Sequence, residues 1–239
     1  MGIEIRARIN DIHEKIEAAC LRSGRKRGEI KLMAVTKFHS LDSVESAWDA
    51  GIRLFGENRV QEGTEKYTRF FENHPGYEAG EKCAELHLIG SLQRNKAKGA
   101  AAFFDCIQSV DREPLIKELG ALTSLRENPL MILLEFHTGE ESKSGFPSVE
   151  SLFRAAELAL GMGGLKINGL MTMAPFTDDE DAVRRSFREL VRARDELEKR
   201  FPGNWPCLSM GMTNDYEIAI EEGSTLLRIG TAIFGERAT

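Results

Sequence analysis

Lys37 is the residue whose surroundings most invite chemistry. It closes the run "IKLMAVTK", Ile30 to Lys37, where it directly follows four apolar residues and a threonine. Partial desolvation lowers an amine's pKa and makes it nucleophilic toward carbonyls, which is what a Schiff-base lysine requires. A surface lysine that merely ends a strand would look the same, and position alone favours that plainer reading.

Two later segments bear on the choice. "SMGMTNDYEIAIEEG" places Ser209, Gly211 and Thr213 between an apolar run and a short helix, and "RIGTAIFG" places Gly230 and Thr231 just beyond another. Glycines let backbone N–H groups approach an anion, helix starts are electropositive and hydroxyls add donors, so such a pair of loops suits a phosphate. Ordinary turn chemistry uses the same residues, and the two readings stand level. Arg228 interrupts the last apolar run. A buried arginine needs a partner, either a ligand nitrogen or carboxylate or an internal acid such as Glu57.

These residues need a frame to bring them together. Ile5, Ile9, Ile12, Ile16 and Ala19 mark one face of an N-terminal helix. Apolar runs near residues 30–37, 52–58, 86–90, 106–110, 129–136, 166–173, 207–212 and 225–230 then alternate with helical patterns, and 73–82 reads as a loop. Strict alternation implies parallel strands with helical crossovers, and a count of eight favours closure. The expected fold is α/β, a single (β/α)8 TIM-type barrel with an extra N-terminal helix, one domain over residues 1–239. In such barrels active sites lie at the C-terminal strand ends. Lys37, Asn58, Thr213, Arg228 and Gly230 all fall near such ends.

Bulk composition narrows the function classes. The 239 residues are 41% hydrophobic and 29% charged, with a formal net charge of −6. That balance argues against non-specific nucleic-acid binding, which needs a basic face. No segment is apolar enough to span a bilayer, and the N-terminus reads as an amphipathic helix and not a signal peptide. Cys20, Cys83, Cys106 and Cys207 form no C-x-x-C pair. No metal site is expected, and the cysteine usage fits a reducing cytoplasm.

Seven segments, taken in order, resemble the pyridoxal 5'-phosphate (PLP)-binding family often called the PLP homeostasis proteins, which shares its barrel with the alanine racemase N-terminal domain. They are "MAVTK", "FGENRVQE", "HLIGSLQRNK", "SKSGF", "GLMTM", "LSMGMTND" and "LRIGTAIFG". The resemblance implies PLP as cofactor, with Lys37 as the Schiff-base lysine and Asn58 near the ring hydroxyl. It places Arg228 facing the pyridine nitrogen, and Ser209, Thr213, Gly230 and Thr231 in a phosphate cup shaped by Met210 and Gly211. Arg59, His137 and the lack of a proline after Lys37 depart from the usual pattern and point to a different pocket rim.

The expected role is a non-catalytic PLP carrier that buffers the cofactor or delivers it to apo-forms of PLP enzymes. The alternative is a PLP-dependent racemase or lyase. Alanine racemase uses a lysine and a tyrosine on opposite faces of the cofactor, the tyrosine coming from an additional domain of the partner subunit. This chain is expected to lack that domain and to be a monomer, and its tyrosines are Tyr67, Tyr77 and Tyr216. A one-sided site should racemise poorly. His87 and His39 are alternative bases, each read as structural before catalytic. Glu140, Glu141 and Lys143 read as a solvated loop.

Overall fold

The computed structural model describes residues 2–74, 83–139 and 144–236. After α1 (Gly2–Ser23), strands and helices alternate: β1 (Lys31–Val35), α2 (Leu41–Asp49), β2 (Leu54–Glu57), α3 (Val60–Asn73), β3 (Glu85–Leu88) and α4 (Ala97–Phe103). Then come β4 (Cys106–Val110), α5 (Glu113–Thr123), β5 (Leu130–Glu135), α6 (Val149–Leu160), β6 (Leu165–Met171) and α7 (Glu180–Arg200). The chain finishes with β7 (Cys207–Ser209), α8 (Tyr216–Glu221), β8 (Leu226–Ile229) and the short α9 (Thr231–Phe234). The eight strands run parallel in chain order, and β8 returns to pair with β1, closing the barrel.

Helix starts are set by local chemistry. Ser40, Ser148 and Asp179 cap α2, α6 and α7 by accepting from the amides of Ser43, Ser151 and Ala182. The face of α1 read from its periodicity is buried, and it packs on α2, α8 and α9. Arg22 on α1 pairs with Glu217 and Glu221 of α8, and Arg184 of α7 pairs with Glu221 and Glu222. The first and last parts of the chain are thereby joined around the short helix behind the β7 loop.

Period-two alternation sends successive strand side chains to opposite sides of the wall. The outward set packs under the helices as the main core, with Leu32, Ala34, Leu86, Leu88, Ile107, Leu134, Leu227 and Ile229 among its members. The inward set forms only two small apolar groups, Met33 with Leu54 and Leu226, and Cys106 with Leu133 and Met171. Barrel interiors are ordinarily filled with branched apolar layers. Here His87, Gln108, Ser209 and Arg228 occupy the remaining inward positions of β3, β4, β7 and β8, all of them buried.

Candidate functional site

A cavity of about 460 Å3 opens at the C-terminal ends of the strands, within the ~300–1,000 Å3 usual for small-molecule sites. Lys37, Asn58, Thr213, Arg228, Gly230 and Thr231 line it, so six of the nine residues singled out from sequence meet at one place. Ser209 and Met210 do not line it and are fully buried, and Gly211, buried within the β7 loop, does not line it either. A second cavity of about 340 Å3, bordered by Arg59, Gln93 and Lys96, adjoins the first through Asn58, Gly90 and Ser91.

The backbone around Lys37 is held from outside the barrel. Lys66 on α3 donates to the Thr36 carbonyl at 2.7 Å, and the Phe38 amide donates to Glu62 Oε1 at 2.5 Å. The peptide groups on both sides of Lys37 are therefore fixed by one helix. Lys66 in turn pairs with Glu57 at 2.8 Å, and the Thr36 hydroxyl, itself bonded to Tyr67, donates to Glu57 at 2.7 Å. Burial pushes the Glu57 carboxyl above its ordinary value, and the neighbouring Lys66 opposes that shift. Glu57 thus faces α3, not the barrel interior, and the internal acid proposed for Arg228 is engaged elsewhere. Phe38 turns the chain with φ of 65° beneath the Arg59 guanidinium, and the His39 ring packs on Phe234 with centroids 4.5 Å apart. That contact gives His39 a structural task.

Arg228 rises from β8 into the cavity floor. Its Nη1 donates to Ser209 Oγ at 2.7 Å and its Nη2 to the Thr172 carbonyl at 2.8 Å. Burial pushes the guanidinium below its ordinary value, while Asp215 and Glu135 act the other way. The Ser209 side chain, expected in a phosphate cup, lies beneath the arginine and outside the cavity lining. Glu135 at the end of β5 also lines the cavity and accepts from Ser144 at 2.6 Å. Burial pushes its carboxyl up, and the nearby Asp111 adds to the effect.

The β7 and β8 loops form one side of the cavity. Gly211 has φ of 97°, and a Cβ there would stand 2.6 Å from that of Ala219 on α8, so the turn requires glycine. Asp215 accepts from the Met212 amide, and Thr213 Oγ1 accepts from the Ala232 amide at 3.3 Å, tying the two loops together. The amides of Thr213, Asn214 and Thr231 donate no hydrogen bond within the protein among the described residues. Unpaired amides beside threonine hydroxyls are a suitable receptor for an anion. Across the mouth, Gly90 touches the Asn58 backbone so closely that a Cβ would stand 2.3 Å from the Asn58 carbonyl oxygen.

Residues 13–238 match the family model described as alanine racemase, N-terminal domain. The chain is 39% identical to the pyridoxal phosphate homeostasis protein of Vibrio cholerae, over 98% of this chain and 96% of that protein. The chain belongs to the pyridoxal phosphate homeostasis protein family. A solved structure from Bifidobacterium adolescentis superposes with a TM-score of 0.90 at 37% identity, covering 98% of this chain and 95% of that one. PipY of Synechococcus elongatus PCC7942, a structure with PLP bound, superposes with a TM-score of 0.79 at 31% identity, covering 94% of this chain and all of PipY.

Family membership leaves some residues at this site that sequence reasoning did not single out. Lys66 and Glu62 look like ordinary polar positions on α3. Gln108 was hidden in the short run "CIQSV", although an amide inside a fully buried strand is itself a signal. Glu135 carries the same signal more strongly, as a carboxylate closing "LMILLE". Of the charge run in the β5 loop, Glu140, Glu141 and Lys143 lie outside the described residues, as does Tyr77.

Proposed function

We propose that this chain binds PLP in the 460 Å3 cavity as a Schiff base on Lys37 and serves to hold, buffer and deliver it. The convergence of a strand-end amine, a buried guanidinium and a pair of amide-bearing loops on one cavity carries the reading. Each group of the ligand has a chemical counterpart there. The Lys37 amine answers an aldehyde, Asn58 a ring hydroxyl and Arg228 a pyridine nitrogen. The amides and hydroxyls of Thr213 and Thr231, with Gly230, answer a phosphate. PLP, when bound, supplies a carbonyl and an electron-withdrawing ring. Arg228 can only donate, so it favours an unprotonated ring nitrogen and a weaker electron sink.

The same features support a carrier over an enzyme. Tyr67 is bonded to Thr36 behind β1 and Tyr216 packs into the core, and neither lines the cavity. No phenol from these two stands ready as a second base. Glu135 is the observation that favours the alternative, a PLP-dependent racemase or lyase, because a buried carboxyl at the cavity could move a proton. The reading includes a single PLP-binding domain over 1–239 acting as a monomer in the cytoplasm, with apo-forms of PLP enzymes as recipients. No helix among the described residues is long and apolar enough to cross a membrane.

The decisive experiment is a PLP titration followed by borohydride reduction and peptide mapping. Wild type should gain a visible absorption band and a stable adduct at Lys37, and Lys37→Ala should show neither. Failure of the wild type to bind, or an adduct at another lysine, overturns the assignment. Amino-acid racemisation at about one turnover per second or faster would replace the carrier with an enzyme.

A further inference from the structure

A line of buried polar side chains crosses the barrel interior from Arg228 toward the opposite end. Arg228 Nη1 meets Ser209 Oγ at 2.7 Å, Ser209 Oγ meets Gln108 Oε1 at 2.7 Å, and Gln108 Nε2 meets His87 Nδ1 at 2.8 Å. His87 Nε2 then lies 3.5 Å from Glu85 Oε2 and makes no hydrogen bond. Glu85 is the first residue of β3 and half exposed, so the line runs from the cavity floor to the barrel's far mouth. Its members come from β3, β4, β7 and β8.

The direction of this line follows from donor and acceptor counts. A guanidinium has no acceptor, so Ser209 Oγ must accept from it. The Ser209 proton then needs an acceptor of its own, and Gln108 Oε1 is the one in reach. That fixes the amide, which turns its NH2 group toward His87. His87 Nδ1 must therefore be a bare acceptor, and its proton sits on Nε2 facing Glu85. Reversing the amide would leave Ser209 accepting twice with its own hydroxyl proton buried and unpartnered, and would also turn a bare Nε2 lone pair toward the Glu85 carboxylate, whereas an Nε2–H there faces an opposite charge.

We propose that Ser209, Gln108 and His87 are positioning residues for Arg228, and that they hold its guanidinium through a one-directional hydrogen-bond line that keeps His87 as the neutral Nε2–H tautomer. In the PLP reading above, on which only the cofactor consequence rests, this line sets the orientation of the group offered to the ring nitrogen. An arginine held by Thr172 alone would keep its charge but lose that aim. The far mouth of the barrel thus bears on the cofactor through side chains that never touch it.

Two measurements test the proposal. Nitrogen-15 NMR of His87 in the protein without PLP should report the Nε2–H tautomer near neutral pH; an Nδ1–H tautomer or an imidazolium overturns the direction argued here. This result stands whether or not the chain binds PLP, so a wild type that fails to bind sinks the proposed function and leaves the line decided. In the second, Gln108→Leu and Ser209→Ala should weaken PLP binding about tenfold and shift the visible band of the bound cofactor. Gln108→Glu still accepts from Ser209, so it should keep affinity within about threefold while moving the His87 proton to Nδ1. Unchanged affinity and spectrum in both disruptive variants, or equal loss in Gln108→Glu, overturns the positioning role. If Gln108→Leu does not fold, the Ser209→Ala result and the His87 tautomer decide the matter.

Discussion

Lys66→Met should destabilise the fold in a pH-dependent way. In the wild type the Glu57 side chain is fully buried, the Lys66 side chain is one-tenth exposed, and Lys66 Nζ stands 2.8 Å from the carboxyl. Methionine keeps much of the length of lysine but removes the charge and the donor to Thr36. Removing one partner of a buried pair costs about 3–5 kcal/mol, because the other charge is left uncompensated. For a chain of this size each kcal/mol moves Tm by about 2–4 °C, so a fall of roughly 10 °C is expected. Glu57 already has its folded pKa raised by burial, and without Lys66 that shift grows. A carboxyl with a raised folded pKa binds its proton more tightly when folded. Its stability contribution is full below the unfolded value of about 4.3 and is lost as pH rises through the folded value. The deficit of Lys66→Met against wild type should therefore be largest near pH 8 and shrink toward about pH 5.5. Denaturant unfolding of wild type, Lys66→Met and the double variant Glu57→Gln/Lys66→Met measures it. The double variant, with both charges gone, should recover most of the loss. A deficit under about 1 kcal/mol, or one equal at both pH values, refutes the reasoning.

Two further outcomes follow from the rim. Gly90→Ala would drive a Cβ to 2.3 Å from the Asn58 carbonyl oxygen, backbone against backbone. PLP titration should show at least about a tenfold loss of affinity as the β2 and β3 loops part, a cost of about 1.4 kcal/mol, and an unaltered titration would count against Asn58 as a contact. Thr213→Val keeps the side chain's shape but removes the hydroxyl that accepts from the Ala232 amide. Affinity for PLP should fall about fivefold, the worth of one hydrogen bond, with Tm nearly constant; full retention would argue against the β7 loop as the anion receptor.

The order and number of strands were legible because each apolar run carries its own boundaries in glycine and charge. Depth along a strand was harder to read. "LSMGMTND" looks like one motif at the barrel mouth, yet β7 ends at Ser209, and its inward position lies one layer below the cavity. Met210 points outward into the core. Parity also explains Glu57, which follows inward Gly56 in β2 and must face α3. Lys66 and Glu62 were not legible, since helical periodicity marks a polar face without saying which of its members reaches a strand end. The partners of Arg228 were illegible for a related reason. Gln108 lies 101 residues from Ser209, and only barrel closure makes them neighbours.

That closure has a consequence for how the molecule matures. The pair that seals the ring joins Lys31 to Leu226 and Met33 to Arg228, and the amide of Lys31 reaches the Thr225 carbonyl. Contacts so distant along the chain form late, because the loop they close must be ordered first. During synthesis Lys37 emerges with the earliest elements, while Arg228, Gly230 and Thr231 belong to the last. On the proposed function, a nascent chain therefore owns the Schiff-base lysine long before it owns a cavity floor or the loops proposed to receive an anion. If that assignment holds, capture of PLP waits for β8 to seal the barrel, so a fragment ending before β8 should retain no affinity graded to its length. Titration of such a fragment tests this, with residual specific binding as the contrary result.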